Sequence, residues 1–129
     1  MSREPGMNEF QTALEYVDAP VVGYYDLTGR LGFASARAGF EIWAEIGFRT
    51  NFVTGRKLIV VRRIVTDAMN EAAVVHDVMY ETGSVSRAMA DAIFRDAMLF
   101  SGVESWRAWA AWAAVRAFGA PHYTAKLSP

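Results

Sequence analysis

The residues best equipped for chemistry stand in Val74-Val75-His76-Asp77-Val78-Met79-Tyr80, a polar island in an apolar segment. His76 and Tyr80 are four apart, so on a helix one face carries an imidazole and a phenol together. His76 can serve as a metal ligand or a general base, and Asp77 can ligate a metal or orient an imidazole, although adjacent residues diverge by about 100° on a helix. The same residues also make a plain structural set. In that reading His76 is a core histidine bonded to a backbone carbonyl, Asp77 is a surface charge and Tyr80 packs with its hydroxyl at the rim, since clustered titratable groups occur in both settings.

A second group follows in Ser86-Arg87-Ala88-Met89-Ala90-Asp91-Ala92-Ile93-Phe94-Arg95-Asp96, where Arg87, Asp91 and Arg95 are spaced at four-residue steps. Such a stripe is ordinarily a solvated helix face, worth a few tenths of a kcal/mol per pair. Asp91 stands out because Ala88, Ala90 and Ala92 around it leave room for another helix to approach. The third feature is Trp106, Trp109 and Trp112, which form a broad aromatic band on one helix. Core against a sheet is its first reading and a subunit interface the second, with Trp and Arg both favoured at hot spots; a membrane face comes last because the helix lacks a basic side. Phosphate loops, dinucleotide fingerprints, His-Glu-x-x-His and nucleophile elbows are absent.

These groups must be positioned by elements that the pattern divides in two. Phe10 to about Val61 is rich in β-branched and aromatic residues with recurrent glycines, which predicts short strands and tight turns. Phe10–Tyr16 and Val21–Tyr25 read as strands, Asp26–Arg30 as a turn, and Leu31–Ala36 with Phe40–Glu45 as a hairpin around Gly39. Lys57–Val61 reads as a further strand or a buried connector. Beyond Val65 the period is helical. Thr66 or Asp67 caps a helix over about 67–81 that Gly83 stops, Ser84 or Ser86 caps one over about 85–101, and a third covers about 104–118. The expected fold is therefore α+β, a small antiparallel β meander over about residues 10–61 followed by three packed helices, all in a single domain of residues 1–129.

Of the 129 residues 53% are hydrophobic and 21% charged, enough for one real core. Thirteen basic against 14 acidic residues leave a net charge of −1, which argues against a nucleic-acid partner. Without cysteine, disulfides, thiolate metal sites and a thiol nucleophile are excluded. Charged residues among the first thirty argue against a signal peptide, and no window reaches the roughly 18 apolar residues of a membrane span.

Three segments taken in order, Gly47-Phe48-Arg49-Thr50-Asn51-Phe52, His76-Asp77-Val78-Met79-Tyr80 and Ser86-Arg87-Ala88-Met89-Ala90-Asp91, resemble the family known as domain of unknown function 1353. That family occurs mainly in bacteriophages and prophages, with a Gly-Phe-x-Thr-Asp-x-x-Ser-x-Pro turn, a His-Asp-x-x-Tyr helix and an Arg-x-x-x-Asp helix. The resemblance runs from about Leu31 to Gly119 and includes the closing Ala114-Val115-Arg116-Ala117-Phe118-Gly119. This chain carries Asn51 where the family has aspartate, and Thr54 and Arg56 at its Ser and Pro positions. If the family's aspartate, His76, Asp77 and Asp91 converge on a metal or a catalytic water, this member has exchanged an ionised ligand for a neutral amide. Alternatively Asn51 and Asp91 tie the turn to the helices through buried hydrogen bonds, the reading favoured for this chain.

The resemblance implies a virion-associated phage protein of the tail or head, made in the host cytoplasm, whose partners are other virion proteins. The alternative is a metal-assisted hydrolase of the cell envelope built on His76, Asp77 and Asp91, with gene neighbourhood as the discriminator. Asn51, His76, Asp77, Tyr80, Arg87 and Asp91 are expected in one structural polar cluster, and Trp106, Trp109 and Trp112 are expected to be divided between core and partner surface. No cofactor and no bound metal is expected.

Overall fold

The computed structural model describes residues 7–52 and 67–123. In chain order these form β1 (Glu9–Phe10), β2 (Tyr16–Asp18), β3 (Tyr25–Leu27), β4 (Leu31–Ser35), β5 (Phe40–Ala44) and β6 (Arg49–Thr50). A 3-10 turn (Asp67–Met69) then leads into α1 (Asn70–Thr82), α2 (Arg87–Phe100) and α3 (Ser105–Phe118), closed by a second 3-10 turn (Ala120–His122). The fold is α+β, as the change of period predicts.

The strands do not form one meander. They make two antiparallel three-stranded sheets, ordered β1-β4-β5 and β2-β3-β6. Phe10–Tyr16, expected as one strand, is two because the chain changes sheets within it: Phe10 pairs with Phe33 and Tyr16 with Leu27. Val21–Tyr25 is also corrected. Ala19 donates to the carbonyl of Tyr24 and Tyr24 to that of Val21, closing a tight turn through Gly23 at φ +86, and strand begins only at Tyr25. Asp26 and Leu27, expected in a turn, therefore lie in β3. The Leu31–Ala36 and Phe40–Glu45 hairpin forms with Gly39 at φ +79. Lys57–Val61 and Thr66 lie outside the described residues.

β4 is the central strand of its sheet and is buried along its whole length. Gly32 is required there, because a Cβ would sit 2.6 Å from the ring of Trp43, its pairing partner on β5. The helices stack outward in layers. α1 packs on β4 and β5, α2 on α1, and α3 on α2 and the closing 3-10 turn. Ser86 caps α2 through its side chain, accepting from Met89 N at 3.2 Å, and Gly83 ends α1 at φ +66. No side chain caps α1. Among the described residues no helix is long and apolar enough to cross a membrane.

Candidate functional site

α1 and α2 pack against each other, and of the alanines around Asp91 only Ala90 is fully buried. The result places a carboxylate where water does not reach. Asp91 is fully buried, and its Oδ1 accepts from His76 Nε2 at 2.7 Å and from the Tyr80 hydroxyl at 2.6 Å. Its Oδ2 accepts from Arg116 Nη1 of α3 at 2.8 Å. Arg87, one turn before Asp91, donates through Nε to the Tyr80 hydroxyl at 3.2 Å. Its Nη2 also reaches the carbonyls of Val115 and Arg116 at 2.7 and 2.8 Å, so a cation satisfies the open carbonyl end of α3. One carboxylate thereby joins all three helices.

The electrostatics follow from that enclosure. Burial pushes the Asp91 carboxyl up, but the hydrogen bonds from His76, Tyr80 and Arg116 outweigh it and hold the group below the ordinary aspartate range. Burial pulls His76 below the ordinary imidazole range, against the opposing pull of Asp91. Burial, with Asp91 beside it, raises the Tyr80 phenol, which stays a donor. An ionised Asp91 facing a neutral imidazole fixes the tautomer: Nε2 carries the proton and Nδ1 keeps the lone pair. Nδ1 makes no hydrogen bond with any described residue. The ring itself is packed between Tyr80 and Phe94, at centroid distances of 4.1 and 4.6 Å.

Asp77 turns away from this centre. Pairing of β6 with β3 brings Tyr25 opposite Thr50, and the Thr50 hydroxyl donates to Asp77 Oδ2 at 2.7 Å while accepting from Phe52 N at 2.9 Å. Phe52 adopts φ +62, unusual for an aromatic residue, and lies buried against Tyr16 and Tyr25. Beside this turn opens a cleft of about 360 Å³ lined by Asn51, Asp77, Tyr80 and Glu81 together with Arg49 and His122, among others. The His76 ring does not line it.

The six expected cluster residues therefore fall into two groups that share Tyr80. His76, Tyr80, Arg87 and Asp91 meet in one network, whereas Asp77 and Asn51 belong to the cleft. The link between the turn and the helices expected of Asn51 is made by its neighbour Thr50. His76 bonds a carboxylate rather than a backbone carbonyl, and Asp77 is half-buried rather than a surface charge. The stripe of Arg87, Asp91 and Arg95 is not a solvated face, because Arg95 stacks over Trp109 and Trp112 at 4.2 and 5.1 Å. Among the described residues no three His, Asp or Glu side chains converge as a metal cage would require.

Arg116 and Gly119 have roles that spacing alone does not reveal. A Cβ on Gly119 would clash with the carbonyl of Val115 and lie 2.7 Å from the Tyr80 hydroxyl. The closing Ala-Val-Arg-x-x-Gly segment thus supplies one donor to Asp91 and the clearance for the phenol that bonds it.

The tryptophans lie elsewhere. Among the described residues α3 packs mainly on α2 and the closing 3-10 turn, so the first reading of the band, core against a sheet, is replaced. Trp106 and Trp109 are 54% and 50% exposed, while Trp112 is half-buried with its Nε1 shielded and without an acceptor among the described residues. Only Ala108 and Ala111 of α3 are buried.

Comparison with known sequences places the chain. The pattern described as a protein of unknown function, DUF1353, matches residues 26–115. No match is found among curated proteins or among solved structures. The match spans β3 to the last turn of α3, taking in the Thr50 turn, the His76-Asp77-x-x-Tyr80 helix and the Asp91 helix; the chain belongs to the DUF1353 family.

Proposed function

We propose that this chain is a structural component of a bacteriophage or prophage particle, in the tail or the head, acting through contacts with neighbouring proteins. One observation carries the reading. α3 is apolar on two opposite faces: Ala108 and Ala111 face the domain, and Trp106, Trp109, Ala113 and Ala117 face water. A helix of that composition belongs inside something larger than this domain. The tryptophans flanked by arginines match the composition of interface hot spots. The phage assignment rests on where the DUF1353 family occurs.

Mass spectrometry of purified particles tests the reading. The chain should be present at a fixed stoichiometry, and Trp106→Ala should lower its incorporation while leaving expression unchanged. Particles that lack the chain in wild-type infection would contradict it.

A second reading is supported by the fixed tautomer of His76, whose Nδ1 lone pair is the form a general base needs. In that reading the chain is a hydrolase of the cell envelope, with Asp91 orienting His76. Envelope-degrading activity of the purified chain, abolished by His76→Gln with the fold retained, would establish it; no activity on isolated envelopes removes it.

A further inference from the structure

The cleft beside the Thr50 turn combines a fixed wall with polar groups that the fold does not use. Three of its lining side chains are held from behind. The Thr50 hydroxyl is bonded to Asp77 at 2.7 Å, the Arg49 guanidinium to both oxygens of Asp26 at 2.8 and 3.0 Å, and the Tyr80 hydroxyl to Asp91 at 2.6 Å. Against that wall stand Tyr24, Asn51, Glu81 and His122, whose side chains make no hydrogen bond or ion pair with any described residue. They come from four places in the chain: the turn before β3, the turn after β6, the end of α1 and the closing 3-10 turn. We propose that this cleft binds a neutral polyhydroxylated ligand, a single sugar ring. It is a site additional to the protein contacts above, and neither depends on the other.

The open groups set the chemistry. A phenol, a carboxamide and an imidazole each donate and accept, and a carboxylate accepts. Hydroxyls also do both, so a ring that carries several of them can satisfy all four side chains. An ammonium brings donors alone, and a phosphate or carboxylate brings acceptors alone. The charges point the same way. Arg49 is the one Lys or Arg in the lining, and Asp26 already neutralises it, while Glu81 repels an anion. Glu81 is itself exposed, so its attraction for a cation is weak in water and gives an ammonium little advantage.

Shape and lining complete the fit. Phe48 and Tyr24 contribute aromatic surface on which the C–H face of a sugar ring can pack, beside the few polar groups that would orient it. The volume of about 360 Å³ lies at the small end for ligand clefts, and suits one ring rather than a chain of them. Because the wall is already tied in place, little ordering is left for the ligand to impose.

Nuclear magnetic resonance of the isotope-labelled full chain tests the site. The probes are methyl glucoside, methyl galactoside, methyl mannoside and N-acetylglucosamine, with butylammonium chloride and sodium acetate as charged counterparts, each to about 100 mM. At least one sugar should shift the backbone amides of Asn51, Glu81 and His122 saturably, with a Kd in the millimolar range, and neither charged probe should. Tyr24→Phe and Glu81→Gln alter groups that bond no described residue, so both should fold normally. Each should weaken binding of that sugar by about fivefold, the worth of one hydrogen bond, and Y24F/E81Q should lose the shifts over the same range. Saturable shifts from butylammonium alone would reassign the cleft to a cation and overturn the proposal. So would cleft shifts that both variants keep at wild-type affinity, or no saturable shift from any of the four sugars.

Discussion

The Asp91 centre and the outer strip of α3 invert the usual distribution of polarity. Inside, a carboxylate with no exposure is surrounded by an imidazole, a phenol and a guanidinium, each within hydrogen-bond distance. Outside, two tryptophans and a run of alanines face water. A buried charge is tolerated where it is well hydrogen-bonded, and Asp91 of α2 is met by two donors from α1 and one from α3. An exposed apolar strip has no such internal compensation, and only a covering surface supplies it. The first region explains how three helices hold together, and the second explains why they are not sufficient by themselves.

The largest effect that would break this contrast is expected at Asp91. Asp91→Ala strands His76, Tyr80 and Arg116 together and should cost about 3–5 kcal/mol in denaturant unfolding. Asp91→Asn keeps the shape but loses the charge, and should cost about 2 kcal/mol. A loss below about 1 kcal/mol for both would mean that the network does not bind the helices. Gly119→Ala comes next. Its methyl meets the Tyr80 hydroxyl and the end of α3, and a cost of about 1–3 kcal/mol is expected. An unchanged midpoint there would show that the phenol can move without loss.

Much of this organisation is legible in the residue pattern, and the exceptions have physical causes. The helices stand out because their apolar positions recur at three and four residues over several turns, and their described boundaries fall within three residues of those the period implies, the largest difference being at the start of α1, where Asp67–Met69 form a 3-10 turn. The strands are harder to read. Phe10–Tyr16 alternates as one strand would, but alternation says nothing about which sheet a residue joins, and the chain changes sheets between Phe10 and Tyr16. Val21 and Val22 have strand propensity, yet the hydrogen bonds of the turn at Gly23 override it. At the site, His76 and Tyr80 are found together because i and i+4 share a helix face. Thr50 and Arg116 are not visible that way. Their contacts with Asp77 and Asp91 span 27 and 25 residues and depend on how sheet and helices dock. Asn51 attracts notice by its chemistry, whereas the neighbouring hydroxyl makes the bond.

A smaller, pH-dependent effect sharpens the account of the interior. The folded imidazole of His76 is held below its ordinary range, so below about pH 6.5 the unfolded chain takes up a proton that the folded chain resists. Stability should fall as pH drops from 7 towards 5. A separate loss should begin below about pH 4, where unfolded aspartate protonates while Asp91 stays ionised. His76→Gln should flatten the first decline and leave the second. Persistence of the first decline in that variant would assign it to other groups.

The smallest effect on monomer stability is expected at the outer strip, and it tests the contrast most directly. The thermal midpoint of Trp106→Ala should be compared with that of wild type at a dilute and at a concentrated condition. The account predicts that the two coincide at the dilute condition, because a half-exposed tryptophan adds little to the monomer. A midpoint several degrees lower for the variant at both concentrations would show that Trp106 belongs to the monomer's core, and would contradict the division between a polar centre that builds the fold and an apolar strip that awaits a partner.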